Sequence, residues 1–254
     1  MSNLIDYHVH LDLFQEHESL LRQCEAEKII LFTMTTTPLA WERNRDLAIG
    51  SPYIRVGLGL HPQLVAERSK ELELFEKLAP QADFIGEVGL DAGPRYYKSL
   101  DLQREVFQRI LRVSLRSGPK VFSIHSIRAV GKVLDCIEDA GGRGDDSGFV
   151  LHWFTGSRTE ARRAVEMGCF FSVNPMMLKT ESSRKILYSI PQNRLLTETD
   201  GPFTEKQPGC KYLPQDLGPT VRDLGNLFGK SQETMQQQLC DNVTRLEARL
   251  VKRD

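Results

Sequence analysis

Residues 4–12 read LIDYHVHLD, a strand-like run that carries two histidines separated by one valine. Successive side chains of an extended strand point to opposite faces, so His8 and His10 project the same way. Two imidazoles a few ångströms apart on one face form a chelate that suits a divalent cation. Comparable donors recur further along, each near the end of an apolar run: Glu87, His125, His152 and Asp200, with His61 beside them. Of the six histidines, five sit at or near such ends, and His17 alone falls in a helical segment. The set His8, His10, Glu87, His125, His152 and Asp200 is nitrogen and oxygen only. Six donors are too many for one tetrahedral ion and suit two ions sharing a carboxylate. Imidazole with carboxylate admits Zn, Mn, Fe or Co, with Mg less natural. Such a pair of ions lowers the pKa of a bridging water and stabilises a developing oxyanion, which is hydrolytic chemistry. Glu87 and Asp200 are the expected catalytic carboxylates, Asp200 as acceptor of a proton from that water.

Something must bring these residues to one place. Eight apolar, β-rich runs are spread along the chain: LIDYHVHL, KIILFTMT, YIRVGLGL, DFIGEVGL, KVFSIHS, GFVLHWF, CFFSVN and RLLTETD. Most are nearly continuously apolar, as parallel strands covered on both faces are. The polar residues near their ends are His10, Thr35, His61, Glu87, His125, His152, Asn174 and Asp200, with gaps of 25, 26, 26, 38, 27, 22 and 26 residues. Each gap fits one strand, one helix and two loops. The segments between carry helical spacing, as in LDLQREVFQRILRVSLRSG, where Leu102, Val106, Ile110 and Val113 form one stripe and Gly118 a stop. Eight strand–helix units predict an α/β fold, a (β/α)₈ TIM barrel of the metallo-dependent hydrolase type, as a single domain over 1–254. In such barrels polar residues at the C-terminal strand ends converge on one mouth. Parity adds that Glu87 shares a face with Asp91, and Glu198 with Asp200. The stripe Met235, Leu239, Val243, Leu246 and Leu250 reads as core. The connection 204–219 is expected to be a long loop on the mouth side. The RGD tripeptide in GGRGDDSG (141–148) is read as a chance match.

Composition narrows the class. The chain has 254 residues, 40% hydrophobic and 26% charged, with a formal net charge of −1. Bulk charge therefore does not advertise nucleic acid, and any polyanion has to be held by a local site or a metal. Five scattered cysteines without CxxC spacing suggest reduced thiols of a cytoplasmic protein. No signal-type leader and no membrane-length apolar run is seen, so no membrane partner is expected. Neither a GxGxxG after a strand nor a GxxxxGK[ST] loop is present, which removes the commonest cofactor and nucleotide chemistries.

Taken in order, DYHVHLD, GLHP, IGEVGLD, QREVF, SIHS, LHWFTGS, TETDGPF and DNVTRL resemble the TatD-like family of metal-dependent deoxyribonucleases over nearly the whole chain. The resemblance implies a (β/α)₈ barrel with two or more divalent ions (Zn, Mn or Mg), acting on DNA from the 3′ end. It assigns ligation to His8, His10, Glu87, His125, His152 and Asp200, and contact with substrate phosphate to His61. The chain departs from the family in several places. Gln63 stands where a second histidine often follows GLHP. The arginine of HSR is displaced to Arg128, and the basic stretch after the last strand is reduced to Lys206 and Lys211. The segment AGPRYYKS after strand four offers Arg95, Tyr96, Tyr97 and Lys98, either to hold phosphate and stack a base or to pack on neighbouring loops. The expected substrate contacts are therefore His61, Arg95, Tyr97, Arg128 and Lys206. Divergent members also serve as components of multi-gene antiviral defence systems, which implies protein partners.

Two other classes stand beside the nuclease reading. One is an amidohydrolase-type enzyme acting on a C–N or ester bond, many of which bridge their metals with a modified lysine on strand four, where this chain has Glu87. The other is a catalytically weak, partner-binding component of a defence complex, motivated by the lost basic contacts.

Overall fold

All eight apolar runs form parallel strands: β1 (Ile5–Val9), β2 (Ile30–Met34), β3 (Ile54–Gly57), β4 (Phe84–Asp91), β5 (Val121–Ile127), β6 (Gly148–His152), β7 (Phe170–Val173) and β8 (Leu195–Thr197). They were located in a computed structural model that describes residues 3–142 and 147–250; the RGD tripeptide lies outside the described residues. Helices follow the strands in alternation: α1 (His17–Ala26), α2 (Trp41–Leu47), α3 (Val65–Arg68), α4 (Leu72–Leu78), α5 (Leu100–Arg116), α6 (Val130–Asp139), α7 (Arg158–Glu166), α8 (Glu181–Tyr188), α9 (Leu217–Leu227) and α10 (Gln232–Glu247). The strands pair in chain order, β1 to β3 and β4 to β8. Every residue of β1, β6, β7 and β8 is buried. That explains their continuous apolarity: the barrel interior takes one face and the helices the other. The architecture is the (β/α)₈ barrel expected.

Two seams close the ring without long ladders. Between β3 and β4 a parallel bridge joins Leu58 to Ile85, and the Leu58 amide donates to Phe84 O at 3.0 Å. Between β8 and β1 a buried carboxylate does much of the work. Asp6 accepts from the Thr199 amide at 2.9 Å and from Thr199 Oγ1 at 2.6 Å, while Thr197 Oγ1 donates to Ile5 O at 2.7 Å. Burial pushes the Asp6 carboxyl up to about 7, against the pull of these hydrogen bonds. Beyond them the Asp200 amide donates to His8 O at 2.9 Å, which sets the end of β8 against the end of β1.

Three features differ from the sequence expectation. Leu102 is exposed, and the buried face of α5 turns instead through Gln103, Val106, Phe107, Ile110, Leu111 and Ser114. Gln103 replaces an apolar residue there because its amide is consumed by the strand end, as shown below. The connection 204–219 is a short hairpin, β9 (Glu205–Gln207) against β10 (Cys210–Lys211), before α9 begins. Gly209, at φ +78°, supplies the left-handed residue its turn requires. The apolar stripe of α10 is buried from Met235 to Leu246, but Leu250 falls in a 3₁₀ turn past the helix and is only half-buried.

Close backbone approach next to β4 depends on glycine. The Glu87 amide donates to Thr35 O at 3.0 Å, and the Gly59 amide to Thr35 Oγ1 at 3.0 Å. A Cβ on Gly59 would lie 1.8 Å from Thr35 O and 2.6 Å from the Glu87 amide nitrogen. Gly59→Ala is therefore expected to cost more than about 3 kcal/mol in urea unfolding. Gly50→Ala, where φ is +82° but nothing lies within 4 Å, should cost only about 1–2 kcal/mol, the strain of a left-handed alanine.

Candidate metal centre

The donors predicted from the sequence converge at the C-terminal ends of the strands, and all are buried. His8 and His10 do share a face of β1. Their Nε2 atoms stand 3.2 Å apart, so their lone pairs converge on one point. His8 is held by Ser123 Oγ, 2.7 Å from its Nδ1. A proton on Nδ1 leaves Nε2 free to ligate. Burial, together with the neighbouring His152, puts His8 well below the ordinary imidazole range, so it is neutral and ligand-ready.

Glu87 occupies the middle of the cluster. Its Oε2 lies 3.0 Å from His10 Nε2 and 3.4 Å from His8 Nε2. Its Oε1 lies 2.7 Å from His125 Nδ1, 2.9 Å from His152 Nε2 and 3.1 Å from His61 Nε2. Burial opposes its ionisation, but His61, His152 and His8 outweigh burial and hold the carboxyl well below its usual value. One oxygen thus faces the β1 histidines and the other faces His61, just past β3, and those of β5 and β6. Asp200 joins the first group, its Oδ1 3.6 Å from His8 Nε2 and 3.8 Å from His10 Nε2. Its backbone is left-handed, φ +53°, an unusual conformation for a non-glycine residue that points to a positional constraint at this strand end. Burial pushes the Asp200 carboxyl well above its ordinary value, with Glu87 and Glu198 adding to the rise against His152.

These features fit a metal-loaded site. Donor atoms of His8, His10 and Asp200 lie within 4.8 Å of one another, as do those of His61, Glu87 and His125, and those of His8, His152 and Glu198. Five buried carboxylates in one region (Asp6, Glu87, Asp91, Glu198 and Asp200) need compensating positive charge. His10 Nδ1 and His152 Nδ1 are buried without a hydrogen-bond partner among the described residues.

His61, expected to contact substrate, is brought into the cluster itself. The Gln63 amide donates to its Nδ1 at 3.2 Å, which makes Nε2 the protonated nitrogen facing Glu87. Arg128 lines the cleft above the donors, a cavity of about 660 Å³ with Gln63, Ser126, Trp153, Thr155 and Phe203 on its walls. Arg95 and Tyr97 are exposed on the loop after β4 and are not among the cleft-lining residues. Lys206 is turned aside: its Nζ pairs with Asp216 Oδ2 at 2.7 Å and lines a separate cavity under the hairpin. Its neighbour acid neutralises it, which the spacing of ten residues did not reveal.

Sequence reasoning passed over four residues. Asp91 Oδ2 lies 3.0 Å from His125 Nε2 and accepts from Gln63 Nε2 at 2.8 Å; its shared face with Glu87 was the available signal. Glu198, on the face of Asp200, accepts from the Trp153 amide at 2.9 Å and Asn174 Nδ2 at 3.1 Å. Ser123 could have been found two positions before His125 in β5. Gln103 had no such signal: its Oε1 accepts from the Asp91 amide at 2.7 Å and its Nε2 donates to Tyr96 O at 3.1 Å, tying the loop after β4 to the strand end.

Comparison with known proteins agrees with this geometry. The family model described as TatD related DNase matches residues 5–248. The chain is 29% identical to YabD of Bacillus subtilis, an uncharacterized metal-dependent hydrolase, over 96% of this chain and 98% of that one. It is 36% identical to Deoxyribonuclease Tat-D of Schizosaccharomyces pombe over 136 residues, 52% of this chain and 43% of that protein. In solved structures, YjjV, a TatD homolog from Escherichia coli, superposes with a TM-score of 0.84 at 23% identity, covering 96% of this chain and 97% of that one.

Two outcomes are expected. Adding Zn or Mn to chelator-treated protein should raise its stability by about 2.7 kcal/mol at a hundredfold excess over Kd, with the gain lost as pH falls and the imidazoles protonate; calorimetry of the melt reads it. Ser123→Ala, which frees the His8 ring, should weaken metal affinity about 10–100-fold in a competition titration and cost the chelator-treated protein about 1–3 kcal/mol for the stranded His8 N–H.

Proposed function

Because the chain belongs to the TatD-related DNase family, whose model spans residues 5–248, we propose that this metal-dependent hydrolase is a deoxyribonuclease that trims DNA from a 3′ end, using two divalent ions. The observation that carries the reading is the Glu87 carboxylate, with one oxygen toward His8 and His10 and the other toward His61, His125 and His152. Zn, Mn or Mg bound among these residues would lower the pKa of a water and stabilise charge on a phosphoryl oxygen. His8, His10 and Asp200 are the holders on one side, His125 and His152 on the other, and Glu87 is common to both. Asp200 is also the proton acceptor, since its carboxylate borders both the β1 histidines and the open cleft. Arg128 presents a guanidinium to a phosphate oxygen entering that cleft, and His61, whose Nε2 proton faces Glu87, forms part of its wall.

A carboxylate rather than a lysine on β4 supports phosphodiester over amide substrates. Five free cysteines, three of them buried, suit a reducing cytoplasm. The test is release of nucleotides from a 3′-labelled single-stranded oligonucleotide with added Mn. Wild type is expected to cleave, and Asp200→Asn and Glu87→Gln to lose about 10²–10⁴-fold in kcat. Turnover of an amide or lactone with no nucleotide release would overturn the assignment.

A further inference from the structure

A further concavity, about 480 Å³, is lined by residues from the start of α7 and from α8. Arg158, Lys179, Arg184 and Lys185 line it, together with Glu181, Tyr188 and Leu227. Lys185 is answered by Glu181 at 2.6 Å. Among the described residues no carboxylate lies within ion-pair distance of Arg158, Lys179 or Arg184. Three unanswered cations on one groove of a chain with net charge −1 are a local electropositive surface that a polyanion would relieve. Tyr188 supplies the second element. It is 65% exposed, yet its ring is backed by Phe228, with centroids 5.7 Å apart and planes at 14°. An exposed ring held flat against another is a stacking platform rather than a mobile side chain. Arg184 and Tyr188 are four residues apart on α8, so they project from one face.

One end of the groove lies near the cleft. Thr155 lines the metal cleft and Arg158 lines the groove, and three residues of chain span at most about 11 Å. We propose that this groove is an auxiliary binding site for a single-stranded polynucleotide, engaging the part of the strand away from the scissile end through phosphates at Arg158, Lys179 and Arg184 and a base on Tyr188. It rests on the nuclease reading and adds to it a preference for length: a strand long enough to reach the groove binds better than one that fills only the cleft. The same geometry gives a chain of near-neutral composition a local concentration of cations to hold the strand.

The test compares wild type with Arg184→Ala/Tyr188→Ala, using phosphorothioate-linked single strands as uncleaved probes. One probe is a dinucleotide and the other is of roughly 15 nucleotides, near the upper end of single-strand site sizes. The double variant is expected to bind the long probe about tenfold more weakly, to lose about 0.7 from the slope of log affinity against log salt for the phosphate contact at Arg184, and to bind the dinucleotide as wild type does. Arg158→Ala should reproduce the change in slope, and an unaltered thermal melt excludes misfolding. Equal affinity of wild type and double variant for the long probe would overturn the proposal and leave the groove to another anion, such as an acidic protein segment. Equal weakening of both probes, or no binding of the long probe by wild type, would overturn it too. Length-dependent binding that depends on the groove, with no nucleotide release from an ordinary oligonucleotide, would keep the groove and remove the nuclease assignment.

Discussion

A carboxylate buried among five imidazoles is the contact on which the rest of this barrel turns. Glu87 is 2% exposed, and a charge in so dry a place survives only if its neighbours compensate it. His8, His10, His125 and His152 come from three different strands, and His61 from the turn after β3, to do so. Each strand must then end at the correct height and in the correct orientation. The backbone at Glu87 is fixed by Thr35 O below and by the Leu60 amide beside it, 3.0 and 3.1 Å away, and the absence of a side chain at Gly59 lets the strands come that close. Stability and chemistry are therefore the same problem at this point of the fold.

Around this centre the supporting residues are mostly polar groups that fix other polar groups. Ser123 orients His8, Asn174 and Ser172 hold Glu198, and Gln103 anchors Asp91 and its loop. Each lies on the interior side of a strand or helix where an apolar residue would have packed as well. Each satisfies a donor or acceptor that would otherwise be stranded in low dielectric. Left-handed backbone at Arg128, Trp153 and Asp200 marks the turns where β5, β6 and β8 hand over to the mouth loops, another place where geometry at the site outranks local preference.

The mouth is electrostatically lopsided. On the β8 side the hairpin lysines are consumed by their own neighbours, Lys206 by Asp216 and Lys211 by Glu205. On the β5 to β7 side Arg128, Arg158 and Lys179 stand exposed. Near-zero net charge thus conceals an uneven distribution of unpaired cations around the mouth.

The sequence by itself determined the eight strands, their parallel order and the donors at their ends. Continuous apolar runs, a repeat near 26 residues and strand parity are one-dimensional consequences of a two-faced parallel sheet. His8 and His10 could be placed on one face because two residues of strand suffice to say so. The path of the chain in space decided what parity could not. It rotated α5 so that Gln103 rather than Leu102 faces inward, drew His61 to Glu87, and folded 204–219 into a hairpin whose acids silence Lys206. It also set Arg158 of α7 beside Arg184 and Tyr188 of α8. All of these depend on distances between residues remote in sequence or on the phase of a helix against its neighbours. Such distances are set by packing across the barrel, to which a local pattern of side chains is blind.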